Sequence, residues 1–237
     1  MNMRILCLLL ALLLTGCGRE VAVAAAPTVV TEPIVTTVPS PVVTVPPVTE
    51  PVVQEPVDSD FVRVLDYIPA ARQDLKYATE DNFTGKAIYD FRDAYLRYGT
   101  VKKLKAVSAD LAEMGMYLKI WDGFRPVSAQ FKLWEACPDS AYVANPNTGY
   151  SSHSRGNTVD LTIVDGDGVE FPMPTGFDDF SAKADRDYAD CSEEAGNNAR
   201  ILELIMEKHG FQGYGAEWWH YTDTNSYPVE EKFYPAG

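Results

Sequence analysis

The stretch Ser151-Ser152-His153-Ser154-Arg155-Gly156-Asn157-Thr158-Val159-Asp160-Leu161-Thr162-Ile163-Val164 changes character halfway along. Its first half is small and polar around one histidine. Its second half, Val159 to Val164, has the β-branched content of a strand, with Asp160 and Thr162 on one face and Leu161 and Ile163 on the other. Residues seven apart on one straight strand point to opposite faces, so His153 and Asp160 meet only if the chain bends between them. Arg155-Gly156-Asn157 supplies a plausible bend, letting His153 come from a loop while Asp160 projects from the strand that follows.

Working outward, Ser192 is a good cap for a helix through Ile201, Leu202, Leu204 and Ile205 to His209, closed by Gly210. Phe211 to Thr222 then reads as strand and turn. On the other side, Thr100 is expected to cap a helix carrying Val101, Leu104, Val107 and Leu111 at helical spacing and ending at Gly115. Met116 to Trp121 is a buried strand, and Asp122-Gly123 turns the chain toward Phe124-Arg125-Pro126. A further helix runs from Pro126, as its first residue, through Cys137, and Pro138 stops it. Asn145 to Gly149 is loop. Helices and strands mix without a βαβ rhythm, which predicts an α+β fold.

A second charged segment, Glu217-Trp218-Trp219-His220-Tyr221, carries another of the chain's three histidines. An open catalytic zinc site takes three ligands from His and carboxylate and leaves a position for water. His153, Asp160 and His220 supply that set. Glu217 is better used as general base than as a fourth ligand, because a fourth would close the site. Glu217 and His220 are three apart, a spacing a regular strand does not place on one side, so a bulge or turn is expected at Trp218-Trp219. One of those tryptophans is expected in the core and the other in the pocket wall. Arg125 is a candidate for stabilising an oxyanion. Read from the residues alone, a His–Asp surface hydrogen bond and an Arg125 ion pair with a surface acid stay open beside these readings. His209, beside Gly210, is most simply a cation at a helix C-terminus.

The remaining composition sets bounds. With 20 Lys+Arg against 34 Asp+Glu the net charge of the 237-residue chain is −14, which repels phosphates and speaks against nucleic acid or a polybasic membrane contact. Ile5 to Leu14 is an apolar run too short to span a bilayer, behind the positive charge of Arg4, and reads as a signal peptide over residues 1–16. Leu14-Thr15-Gly16-Cys17 resembles the lipobox of bacterial lipoproteins. Cys17 is therefore the expected lipidation site, with an ordinary secretory signal as the alternative. Half of the 16 prolines fall between Pro27 and Pro56 in a Val/Thr-rich stretch, so residues 17–58 read as an extended tether. The protein is expected outside the cytoplasm, lipid-anchored to the bacterial membrane. Whether Cys137 and Cys191 pair is left open by their positions alone.

In chain order, Lys76-Tyr77-Ala78-Thr79 with Asp81-Asn82-Phe83-Thr84-Gly85, Trp121-Asp122-Gly123-Phe124-Arg125-Pro126, Ser152-His153-Ser154-Arg155-Gly156 with Asp160, and Glu217-Trp218-Trp219-His220-Tyr221 resemble the zinc D-alanyl-D-alanine dipeptidases, the vancomycin-resistance type included. The resemblance begins near residue 62 and runs to the C-terminus. It implies a single zinc peptidase domain over residues 59–237 of the hedgehog/D,D-peptidase type, an antiparallel or mixed sheet with flanking helices. It implies one Zn2+ on His153, Asp160 and His220, Glu217 as catalytic base and Arg125 as transition-state stabiliser. Phe177-Asp178-Asp179-Phe180 resembles the segment that closes over the substrate's amino end, which makes Asp178 the expected ammonium partner; Ser151 stands where the family meets the substrate carboxylate. The reaction implied is hydrolysis of the D-Ala-D-Ala dipeptide by a metal-activated water, in cell-wall metabolism. The lipoprotein-like start and a shorter loop before Ser151 depart from the vancomycin-resistance enzymes. They keep two alternatives in view: a D,D-carboxypeptidase trimming peptidoglycan stems, and a lipoprotein that binds wall peptides without cleaving them.

Overall fold

The computed structural model describes residues 54–140 and 142–235. The expected signal peptide, Cys17 and the tether up to residue 53 lie outside the described residues. The elements are β1 (Phe61–Arg63), α1 (Val64–Tyr67), β2 (Arg72–Gln73), β3 (Tyr95–Arg97), α2 (Tyr98–Ala112), β4 (Tyr117–Asp122), α3 (Val127–Ala136), β5 (Thr158–Val164), α4 (Glu193–Lys208), β6 (Phe211–Tyr214) and β7 (Glu217–Asp223).

Five strands form one sheet in the order β2-β4-β5-β7-β6, parallel at β2–β4 and antiparallel elsewhere. β1 and β3 make a separate antiparallel ribbon. The fold is thus α+β with a mixed sheet and flanking helices. β5 lies mid-sheet and is buried at all seven positions, which explains why its sequence is apolar or β-branched on both faces except at Asp160. α2 buries Val101, Leu104, Val107 and Leu111, one stripe of the helix, against the neighbourhood of β4. Each such side chain contributes about 1.5–3 kcal/mol relative to leaving it in water. α4 buries Ala199, Leu202 and Met206.

Three local expectations are corrected. α2 starts at Tyr98, not after Thr100, because β3 runs straight into it; the Thr100 hydroxyl is fully buried and donates to Asp223 Oδ2 at 2.8 Å instead of capping. Pro126 is the extended residue before α3 (ψ 144°) and not its first helical residue. Trp218 and Trp219 are both fully buried, so neither is a pocket wall. The Ser192 cap is present, its hydroxyl accepting from the Ala195 amide at 3.2 Å. His209 stands at the end of α4 as expected and also meets Asp110 Oδ2 at 2.7 Å. Cys137 and Cys191 are free thiols.

Candidate metal centre

The register of the sheet builds the site. Asp122 at the end of β4 is opposite Asp160 on β5, and Asp160 is opposite His220 on β7. Three polar residues therefore stand on one line across three adjacent strands. Just before β5, Ser152–Arg155 form a single 3-10 turn that ends in Gly156 at φ +76°, a conformation that glycine enters without steric cost. The bend expected at Arg155-Gly156-Asn157 is this turn, and it swings His153 back over Asp160.

His153 Nε2 lies 3.3 Å from Asp160 Oδ2, and His220 Nδ1 lies 3.0 Å from Asp160 Oδ1. His153 donates its other ring N–H to the Gly123 carbonyl at 2.8 Å, which fixes the tautomer and leaves Nε2 as a lone pair aimed at Asp160. The far nitrogen of His220, Nε2, is 3.4 Å from Ser152 Oγ. The three ligand atoms lie within 4.8 Å of one another. Asp160 is buried, and among the described residues its Oδ1 has no hydrogen-bond partner of good geometry despite the close imidazole. A buried carboxylate oxygen without a donor is costly. Two imidazole nitrogens converging on the two oxygens of one buried carboxylate, of which Oδ1 lacks a donor, fit a divalent cation. In the metal-free protein burial works against the charge of Asp160, yet the imidazoles, when protonated, outweigh it and hold the carboxyl well below the usual range; a cation between them would take over that role.

Glu217 reaches the same place through an irregularity. β6 and β7 pair Gly213 with Tyr221 but Tyr214 with Glu217, so β7 carries extra residues across Trp218–His220. The bulge expected there is present. It turns both tryptophans inward and brings Glu217 Oε2 to 3.5 Å from His220 Nδ1. Burial raises the Glu217 carboxyl above its ordinary value, with His220 pulling it back and Asp160 pushing it further up.

Arg125 is buried beside this group and is not paired with a surface acid. Its Nε and Nη2 donate to Asp122 Oδ2 at 3.1 and 2.6 Å, and its Nη1 donates to Gln130 Oε1 at 2.9 Å. Asp122 Oδ1 accepts from the Tyr89 hydroxyl at 2.7 Å and from the Gly123 amide at 2.8 Å. Burial disfavours the guanidinium charge, but Asp122 more than offsets it. Arg125 also lies 5.0 Å over the Tyr77 ring, and the Tyr77 hydroxyl donates to Asp178 Oδ2 at 2.7 Å. Asp178 adopts φ +53°, an unusual backbone for a non-glycine residue. Burial pushes its carboxyl up to about 7 against the Tyr77 hydrogen bond. Ser151 is buried at the mouth of the 3-10 turn.

All seven side chains expected in the site, His153, Asp160, His220, Glu217, Arg125, Asp178 and Ser151, line one open cleft of about 560 Å³. Sequence reasoning missed the supports. The sequence marks Asp122 only as a turn and motif residue, Gln130 as part of a helix, and Tyr77 only as a member of a motif. The signal that could have found Asp122 is its place in a strand with no solvent-facing side, where a carboxylate needs a cation.

A family model described as D-ala-D-ala dipeptidase, Peptidase_M15, matches residues 58–235. A D-alanyl-D-alanine dipeptidase of Escherichia coli is 38% identical over 177 residues, covering 72% of this chain and 91% of that protein. One from Enterococcus faecalis is 34% identical over 185 residues, covering 70% and 92%. A solved structure of a mutant of the vancomycin resistance D,D-pentapeptidase VanY in complex with Zn(II) matches with a TM-score of 0.38 at 16% identity, over 56% of this chain and 74% of that one, a likeness too slight to argue from.

Proposed function

The chain belongs to the D-ala-D-ala dipeptidase family, Peptidase_M15, and from that premise we propose that it is a zinc-dependent hydrolase of the free D-Ala-D-Ala dipeptide acting in cell-wall metabolism. The observation that carries the zinc reading is the convergence of His153 Nε2 and His220 Nδ1 on the two oxygens of buried Asp160, one of them without a donor, within one cleft. His153, Asp160 and His220 would hold the ion. Zinc there supplies Lewis acidity, which polarises a carbonyl and makes water acidic enough to attack near neutral pH.

The chain's own groups do the rest. Glu217, close enough to His220 to share its surroundings, takes a proton from the attacking water as the new C–O bond forms. It returns that proton to the amide nitrogen as the C–N bond breaks. Its raised pKa, from burial, suits a group that must both accept and release. Arg125 has three of its five N–H donors committed to Asp122 and Gln130, leaving two for the oxyanion that develops on the scissile carbonyl. Asp178 would receive the substrate ammonium, and Ser151 would stand near the free carboxylate. Both charged ends of a dipeptide lose water in the cleft and need such partners.

The lipobox-like Cys17 and the proline-rich tether support a second part of the proposal, an anchor that holds the domain outside the cytoplasm. Incorporation of labelled palmitate should disappear in Cys17→Ala; label retained in that variant would dismiss the anchor. The central test compares the soluble domain from Asp58 on free D-Ala-D-Ala and on a pentapeptide stem. Cleavage of the dipeptide supports the proposal, and cleavage of the stem alone replaces it with a D,D-carboxypeptidase. Binding of either peptide by a protein that purifies without zinc and cleaves neither makes it a binding lipoprotein.

A further inference from the structure

Outside the ligand set, one buried cation touches more of the site's backbone than any other described side chain. Arg186 follows the segment that carries Asp178, and its side chain is 10% exposed. Its Nε donates to the Tyr214 carbonyl at 2.9 Å, and its Nη2 donates to the carbonyls of Trp218 at 3.0 Å and His220 at 2.9 Å. Its Nη1 reaches Glu203 Oε1 and the Tyr221 hydroxyl, each at 3.1 Å, and the guanidinium stacks 4.3 Å over the Tyr221 ring. Its own amide donates to the Gly215 carbonyl at 3.1 Å.

The register shift between β6 and β7 explains the need. Where β7 carries extra residues, its carbonyls cannot all find ladder donors on β6, and a buried carbonyl without a donor is costly. We infer that Arg186 is a positioning residue of this enzyme: by gripping the carbonyls of Tyr214, Trp218 and His220 it sets the corner that brings Glu217 and His220 onto one side. The inference rests on the function proposed above for those two residues.

Residue types at both ends of the contact fit this role. A planar fork of five donors can serve three carbonyls, a carboxylate and a hydroxyl together; a lysine, with three donors on a point charge, cannot. Gly213 lies opposite the fork, and a Cβ there would stand 2.3 Å from Arg186 Cζ and 2.5 Å from its Nε. Glycine at 213 is the space the guanidinium occupies. Through the same loop Arg186 also joins the wall near Asp178 to the strand that holds base and ligand, so the two halves of the cleft share one clamp.

The test uses Arg186→Lys and Gly213→Ala, the second keeping the arginine but pushing its fork away. Val107→Ala, a core truncation in α2, controls for lost stability. Three quantities are read: zinc dissociation by chelator competition, kcat and KM on D-Ala-D-Ala, and amide exchange of residues 214–221 in the zinc-free protein. Both variants should weaken zinc by about tenfold or more, as lost support of metal ligands does. They should lower kcat about a hundredfold with KM little changed, as for a misplacement near 1 Å. Exchange across Glu217–Tyr221 should quicken in both, and in Val107→Ala none of the three should move. Zinc affinity, kcat and exchange all near wild type in Gly213→Ala or Arg186→Lys, with only melting lowered, would overturn the inference. Should Arg186→Lys fail to fold, Gly213→Ala decides by the same readouts. If the wild type proves not to cleave the dipeptide, the proposed function fails alone, because zinc affinity and exchange still judge Arg186.

Discussion

Replacing Asp122 by Asn tests whether Arg125 works in the transition state or only holds the fold. Asp122 is fully buried and accepts four hydrogen bonds, two at each oxygen: Tyr89 and Gly123 at Oδ1, and both donors of Arg125 at Oδ2. An isosteric amide turns one of those oxygens into a donor that faces two donors. It also removes the carboxylate charge that pairs with the Arg125 cation, leaving an amide oxygen at best beside Gln130 and the Tyr77 ring. Breaking a buried pair from one side costs about 3–5 kcal/mol. For a domain of this size that is a fall in Tm of about 6–20 °C. If Arg125 stabilises the oxyanion, kcat should fall roughly 10²–10³-fold as well, with KM nearly constant, because the interaction exists only in the transition state. Zinc should stay bound, since His153 keeps its Gly123 carbonyl. Calorimetry, metal analysis and steady-state kinetics on one preparation give all three quantities. A lowered Tm with kcat within about threefold of wild type would refute the catalytic role and leave Asp122–Arg125 as a structural pair.

Glu217→Gln should keep zinc and lose several orders of magnitude in kcat; activity retained in a zinc-loaded variant would remove Glu217 from its role. Asp178 has a folded-state pKa near 7, above its ordinary 3.8, so its neutral form favours the fold. That stability is full below about 3.8 and is lost as pH rises toward and through about 7. The zinc-free wild type should therefore lose stability relative to Asp178→Asn across that window, measured as the difference in Tm; no pH dependence in the difference would contradict the buried setting. The same variant should raise KM for the dipeptide, whose ammonium loses its partner. Zinc at about 100 times its Kd should add roughly 2.7 kcal/mol to unfolding, and His220→Ala should abolish the gain in a thermal scan.

Much of the site was legible because its chemistry is local and typed. His153, Gly156 and Asp160 sit within eight residues, and the need for a bend between them follows from strand geometry alone. The bulge at Trp218-Trp219 followed from the same reasoning applied to Glu217 and His220. What that argument lacked was the direction of the two indoles, which depends on how far β7 slips past β6. β1, β2 and β3 have two or three residues each, too few to show a period. Thr100 resembles a cap in every local respect, and a partner far along the chain, Asp223, claimed its hydroxyl. Tyr77, Tyr89 and Gln130 carry no chemical signature, and they support the site only because tertiary packing sets them beside Asp178, Asp122 and Arg125. Asp178 entered through family resemblance and not through any pattern of its own.

The line Asp122, Asp160, His220 across β4, β5 and β7 has a kinetic meaning. No local stretch of the unfolded chain holds the ligand set, because it exists only after strands distant in sequence have paired. Such pairings form late and slowly. A metal ion that meets the chain early finds at most His153 and Asp160 near each other, with His220 sixty residues away, so two of three ligands on an unpaired segment give it little power to seed the sheet. Once the sheet closes, the same ion ties β5 to β7 and raises the barrier to their separation. Zinc concentration should therefore leave the refolding rate almost untouched while slowing unfolding, and the protein's lifetime in a harsh environment would be set by occupancy of its own reaction centre.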